Sequence, residues 1–222
     1  AGTDDVLVRE HRHGDGMRRV HWKMSAKRGE LMVRLEEQPW DPAMTIIVDT
    51  RVAAHIGSGP ESTLEWVLSL GASLATELLR DRLRVSLLGA DGVIFRPING
   101  ESTGAAARLL ATVTDVEPSG RAFLEDCLAD PDALGTARTV VAGLGLLHSR
   151  DAAALVAATA RVADIDALVP DARAFRLPAD VVVAHEKACR LLTTSGWNVA
   201  TFGPEATVPQ GWGRLVAQRE AR

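Results

Sequence analysis

No stretch of this chain approaches the roughly eighteen uninterrupted apolar residues that crossing a bilayer requires. The best apolar run, Val140 to Leu147, is broken by Gly143 and Gly145 and is far too short, so the expectation is a soluble piece. A secretory signal is missing as well. The first residue is Ala1, not Met, and no basic-then-apolar segment follows it; the expectation is a fragment whose anchoring elements lie upstream. Cysteine is scarce. Cys127 and Cys189 lie far apart and form no Cys-x-x-Cys pair, so neither a disulfide framework nor a zinc site is indicated, and both read as buried free thiols.

What is present suffices for a core: 222 residues, of which 46% are hydrophobic, make one large domain or two small ones. The net charge of −4 is unevenly spread. Arg9 to Arg34 holds eight Lys and Arg against Glu10, Asp15 and Glu30, net +5, against −9 elsewhere. The front end is a basic arm.

From Met44 onward the elements alternate. Thr45 to Asp49 is a short β-branched run ending in an acid, as expected of a strand buried on both faces. Ser58-Gly-Pro-Glu61 predicts a helix start, followed by an apolar stripe of Leu64, Val67, Leu68, Gly71, Leu74, Ala75 and Leu78. Arg84 to Leu88 reads as a second strand, and Gly89-Ala-Asp-Gly92 as a hairpin turn into an antiparallel edge strand, Val93 to Phe95. Helices are expected over 103–113, 150–163 and 182–194, and strands over 138–142, 165–169 and 198–202, with Gly196 as a helix stop. Such alternation predicts a doubly wound, mostly parallel α/β sheet of six strands. Its ligand-binding crevice lies outside the carboxyl ends of the strands, around Asp49 to His55 and the later loops.

This order, with its early edge hairpin, resembles the Rossmann-like von Willebrand factor A-like fold, whose metal site supplies a test. In that family the first strand ends in Asp-x-Ser-x-Ser, and a threonine and an aspartate from later loops complete an oxygen shell for a hard divalent cation. Here the first loop reads Asp49-Thr50-Arg51-Val52-Ala53. Both serine positions lack a hydroxyl, and Arg51 brings a cation to the metal's place. Thr103 survives in the second loop, but Gly143 to His148 contains no acid. The site reads as degenerate, with no metal. For Arg51 two readings are open: an internal ion pair with Asp49, or a solvated guanidinium.

The arm carries the most specific pattern. Arg9, Gly14-Asp15, Arg19 to Trp22, Ser25 to Lys27 and Leu31 to Arg34 follow one another in the order and spacing that resemble the signature of the domain-of-unknown-function 58 family. His11 stands where that family has an aromatic residue, and Lys27 where it has arginine. The resemblance covers nearly the whole chain. It implies an arm over 1–43 packed on a von Willebrand factor A-like domain over 44–222. It also implies an upstream pair of membrane helices and a genomic association with MoxR-type AAA ATPases and transglutaminase-like proteins; the expectation is a place at the cytoplasmic face of the membrane, with a MoxR-type AAA ATPase as candidate partner.

From the residues themselves, Gly14-Asp15-Gly16 is a turn and Met17 to Lys27 a short helix. Trp22 either plugs a gap against the sheet, with Arg19 paired to Asp15, or joins Arg18, Lys23, Lys27 and Arg28 in a docking surface. Nucleic acid is a poor partner, because acids interleave the arm and the remaining chain is acidic. Anionic lipid headgroups suit the basic arm better, though the acidic body weakens that match too.

Enzyme chemistry finds little footing. Gly143-Leu-Gly145-Leu-Leu-His148 has His148 at the third glycine of a dinucleotide fingerprint and follows the fourth strand, not the first. His11 and His13 with Asp15 would need a fourth ligand to hold a metal. Ser25, near His21 and Lys23, stands in no nucleophile elbow. The expectation is a non-enzymatic interaction module without cofactor; the alternatives are a divalent-cation-dependent adhesion domain and an enzyme of envelope metabolism.

Overall fold

The computed structural model describes residues 8–10, 25, 27, 30, 32–34, 44–98, 104–130, 133–135 and 137–221. Two compact units divide the chain, Ala1–Trp40 and Asp41–Arg222.

In the first unit, β1 (Val8–Glu10) and β2 (Met32–Arg34) pair antiparallel, with Arg9 opposite Val33. Ser25 and Lys27 are helical. The Ser25 hydroxyl accepts the Met32 N–H at 2.8 Å and donates to the Met32 carbonyl at 3.3 Å, tying the helical turn to β2. Lys27 is exposed. Of the other arm residues, Asp15, Arg18, Arg19, Trp22, Lys23 and Arg28 lie outside the described residues, as do His11, His13 and His21; Arg9 and Arg34 are described by their backbone alone.

The second unit is built on a six-stranded sheet in the order β5-β4-β3-β6-β7-β8. Its strands are β3 (Met44–Val48), β4 (Val85–Gly89), β5 (Gly92–Phe95), β6 (Thr139–Gly143), β7 (Asp164–Pro170) and β8 (Asn198–Phe202). All pairings are parallel except that of β4 with β5, the hairpin at the edge. Six helices accompany them among the described residues: α1 (Thr63–Arg80), α2 (Ala105–Thr114), α3 (Glu125–Leu128), α4 (Ser149–Ala158), α5 (Ala179–Thr194) and α6 (Val208–Glu220). This is a mostly parallel α/β sheet flanked by helices, consistent with a Rossmann-like or von Willebrand factor A-like arrangement.

The pleat divides the core in two. Ile46 and Val48 of β3 point to the layer of Val67, Leu70, Leu109 and Leu215, and Ile47 to that of Leu124, Leu155, Leu192 and Trp197. Burial on both faces is why β3, β4, β6 and β7 are rich in Val, Ile and Leu.

Three departures from the sequence expectation have local causes. The first long helix begins at Thr63, not near Ser58, because Gly59–Glu61 forms a separate 3-10 turn and the Ser62 hydroxyl accepts the Glu65 N–H as the true N-cap. The helix expected over 150–163 ends at Ala158, with Asp164 already in β7. The last helix, α6, was not foreseen. Gly211 and Gly213 interrupt its pattern, yet Thr207 and Gln210 form a capping box at its start. A Cβ at Gly211 would stand 2.7 Å from the Trp66 ring, so this glycine lets α6 lie against α1. No helix of the described residues is long and apolar enough to cross a membrane.

Candidate functional site

Strand β3 sits between β4 and β6, so the chain leaves it in one direction and later returns on its other side. The carboxyl end of β3 is therefore the topological switch point, where doubly wound sheets place their ligands. Asp49 follows β3 there. Its backbone N–H donates to the Gly143 carbonyl at 2.9 Å, holding it against the end of β6.

The crevice is filled from within the chain. Arg51 turns back over Asp49 before the 3-10 turn Val52–Ala54. Its Nε donates to Asp49 Oδ1 at 2.9 Å and its Nη2 to Asp49 Oδ2 at 2.7 Å, a bidentate pair. Its Nη1 donates to Asp151 Oδ1 at 2.9 Å and to the Ala122 carbonyl at 3.0 Å. Of the two readings open for Arg51, the internal ion pair is the one present, and it has a second carboxylate. Arg51 is 1% exposed, and Asp49 and Asp151 are 0% exposed. Among the described residues, only Trp197 is a larger side chain so fully buried.

Three buried charges summing to −1 need further compensation, and the backbone supplies it. Asp49 Oδ1 accepts the Arg51 N–H at 3.2 Å and Oδ2 the Gly145 N–H at 3.1 Å. Asp151 Oδ1 accepts the Leu124 N–H at 3.0 Å and Oδ2 the His148 N–H at 2.9 Å. Asp151 also lies in the first turn of α4, within a capping box with His148, where the helix dipole favours an anion. For Arg51 itself, burial alone would lower the pKa, but hydrogen bonds and charge from Asp49 and Asp151 outweigh it and raise the value.

The clasp joins three segments. Besides β3 and α4 it holds the stretch 118–124, which also bridges Arg51 backbone to backbone: the Val52 N–H donates to the Ser119 carbonyl at 2.9 Å and the Ser119 N–H to the Thr50 carbonyl at 2.7 Å. Gly145 is required by closeness. A Cβ there would lie 2.4 Å from the Ala54 carbonyl oxygen, in a loop whose next N–H, that of Leu146, donates to the same oxygen at 2.7 Å. Gly145 thus serves the approach of two loops, whereas a Cβ at Gly143 would meet Val67 and Leu70 of α1 at 3.2 Å.

Two histidines brace the region. His55 Nε2 lies 2.6 Å from the Asp49 carbonyl and Nδ1 3.0 Å from the Thr63 hydroxyl; the network assigns the proton to Nε2, leaving Nδ1 as acceptor. His185 Nδ1 accepts the Leu147 N–H at 3.0 Å, so its Nε2 donates to the Pro170 carbonyl at 3.0 Å. Burial lowers the pKa of both. Burial also pushes the thiol of Cys127 up to about 11 and that of Cys189 up to about 12, which keeps both protonated and unreactive.

Beside the guanidinium is a small cavity of about 270 Å³, lined by Arg51, Ala54, Leu146, His148, Asp180 and His185 among others. Ala53 is exposed on the 3-10 turn and offers no ligand atom from its side chain; Thr103 lies outside the described residues. Among the described residues no group of three or more His, Cys, Asp or Glu is arranged to hold a metal.

The family model described as "Protein of unknown function DUF58" matches residues 7–190, which include the arm, Asp49, Arg51 and Asp151. The chain belongs to the DUF58 family. No curated protein matches it. Within this DUF58 chain, sequence reading singled out Asp49 and Arg51 but missed Asp151, because the loop 143–148 has no acid and the carboxylate arrives one helical turn later. A signal existed in Asp151 standing three residues beyond His148, as a capping residue does. Ala122 and Leu124 contribute backbone groups, which no side chain announces.

Proposed function

We propose that this DUF58 chain is a non-enzymatic protein-interaction module whose residues 44–222 form a von Willebrand factor A-like domain with its cation place taken by Arg51. It works at the cytoplasmic face of a membrane with a MoxR-type AAA ATPase. The observation that carries the reading is the clasp. Both oxygens of Asp49 and both of Asp151 accept hydrogen bonds from Arg51 or backbone N–H groups. A hard cation needs six or so oxygen ligands and would have to displace a bound guanidinium to obtain two of them.

The same network weighs against acid–base work by His55 and His185 and by the thiols. General acid–base work needs a titratable group with a free lone pair or proton in a reachable cleft. The ring nitrogens of His55 and His185 are both engaged, and the thiols are raised far above neutrality.

The test is direct binding of the purified ATPase to the immobilised chain in the presence of a chelator. Association should persist in chelator and weaken when Arg18 and Lys27 are both changed to glutamate, with the thermal melt unchanged. Association that vanishes in chelator would favour a cation-dependent adhesion domain, and its absence in every condition would remove the ATPase as partner.

A further inference from the structure

A second crevice opens on the other side of the switch point. It is about 570 Å³ in volume and lies between β5, α2 and the stretch after α2, with Thr50 at its inner end. The apolar part of its lining is Val93, Ile94, Ala111 and Val116. Val93 is 46% exposed, and Leu110, beside Ala111 on α2, is 49% exposed. Three acids, Asp91, Asp115 and Glu117, also line it. Asp91 is already paired with Arg121 at 2.7 Å, whereas Asp115 and Glu117 have no partner among the described residues and are exposed. The one cation among the described lining residues is Arg108, whose guanidinium lies 4.4 Å above the Phe95 ring and donates to the Arg96 carbonyl at 2.9 Å.

We propose that this groove docks an arginine-bearing, amphipathic segment of a partner protein; the inference rests on the interaction-module reading and names the chemistry of the partner. The aliphatic stem of an arginine lies along Val93 and Val116, and its planar fork pairs with Asp115 and Glu117. Arginine fits better than lysine because it can bind a carboxylate in two places at once. Each exposed carboxylate contributes little alone, so the apolar lining and the charge must act together, and salt weakens the contact. Phosphate-bearing partners are disfavoured, since nucleic acid and anionic lipid would both meet these acids.

The probe is a labelled peptide in which arginine alternates with valine, compared with a twin carrying glutamate for arginine, against the full chain. Binding is read by fluorescence anisotropy and mapped by amide NMR shifts. The arginine peptide should shift the amides of Val93, Ala111 and Val116, lose affinity with added salt, and bind about tenfold or more weakly to the Asp115→Lys, Glu117→Lys double variant. Glu117→Gln alone should show a smaller loss in the same direction, and unchanged melts would show that neither loss reflects unfolding. Equal binding of the glutamate twin, undiminished binding by both variants, or shifts elsewhere on the surface would overturn the groove. The interaction-module reading would survive that outcome, because it stands or falls on ATPase binding in chelator.

Discussion

Removing the Arg51 side chain would leave Asp49 and Asp151 as two buried carboxylates with only backbone N–H groups to balance them. Breaking a buried pair by deleting one partner costs about 3–5 kcal/mol, and here one deletion strands two anions. Arg51→Ala should therefore lower stability by at least that range in urea denaturation, and Arg51→Lys should recover only part, since an ammonium cannot span both carboxylates as the fork does. A loss under about 1 kcal/mol, typical of an exposed pair, would mean that the clasp is not formed in solution. His55 and His185 set a pH dependence. Burial holds their folded pKa values below the ordinary 6.5. As pH falls through that value the unfolded chain takes up protons while the folded chain does not, so stability is flat above it and declines below it until the folded values are reached. The urea midpoint should accordingly fall between about pH 7 and about pH 5; an unchanged midpoint would contradict the neutral, hydrogen-bonded assignment.

At the scale of elements, what holds the site is the approach of loops. The Gly145 loop passes so close to Ala54 that a Cβ would strike backbone and not a yielding side chain. Gly145→Ala should cost about 1–3 kcal/mol, the range for overpacking, and reduce protection from hydrogen exchange at Leu146, whose N–H is held by the Ala54 carbonyl. Protection unchanged at Leu146 would show that the two loops can separate freely. The strands were legible because the apolar β-branched runs coincide with positions buried on both faces, and Asn198–Phe202 stands where periodicity put it. Helix ends were less so. Ser62 and Ser58 look alike in sequence, and only the 3-10 turn between them decides which one caps α1. Half of the site was legible for a similar reason: Asp49 and Arg51 are neighbours, but Asp151 is brought to them by β6 and α4 from a hundred residues away.

On the scale of the whole molecule, the fold places a crevice at the end of β3, and the chain closes it with its own cation. In the proposed reading, this arginine stands as a fixed, directional charge in place of an exchangeable ion, and the surrounding surface is left for contact with another protein. The most direct test is calorimetric titration of the chain with magnesium, calcium and manganese, paired with thermal melts in each ion. With the guanidinium in place, no saturable heat and no rise in melting temperature should be seen. Saturable binding near one ion per chain, abolished by Asp49→Ala, would show that a metal displaces Arg51 and that the clasp does not close the site.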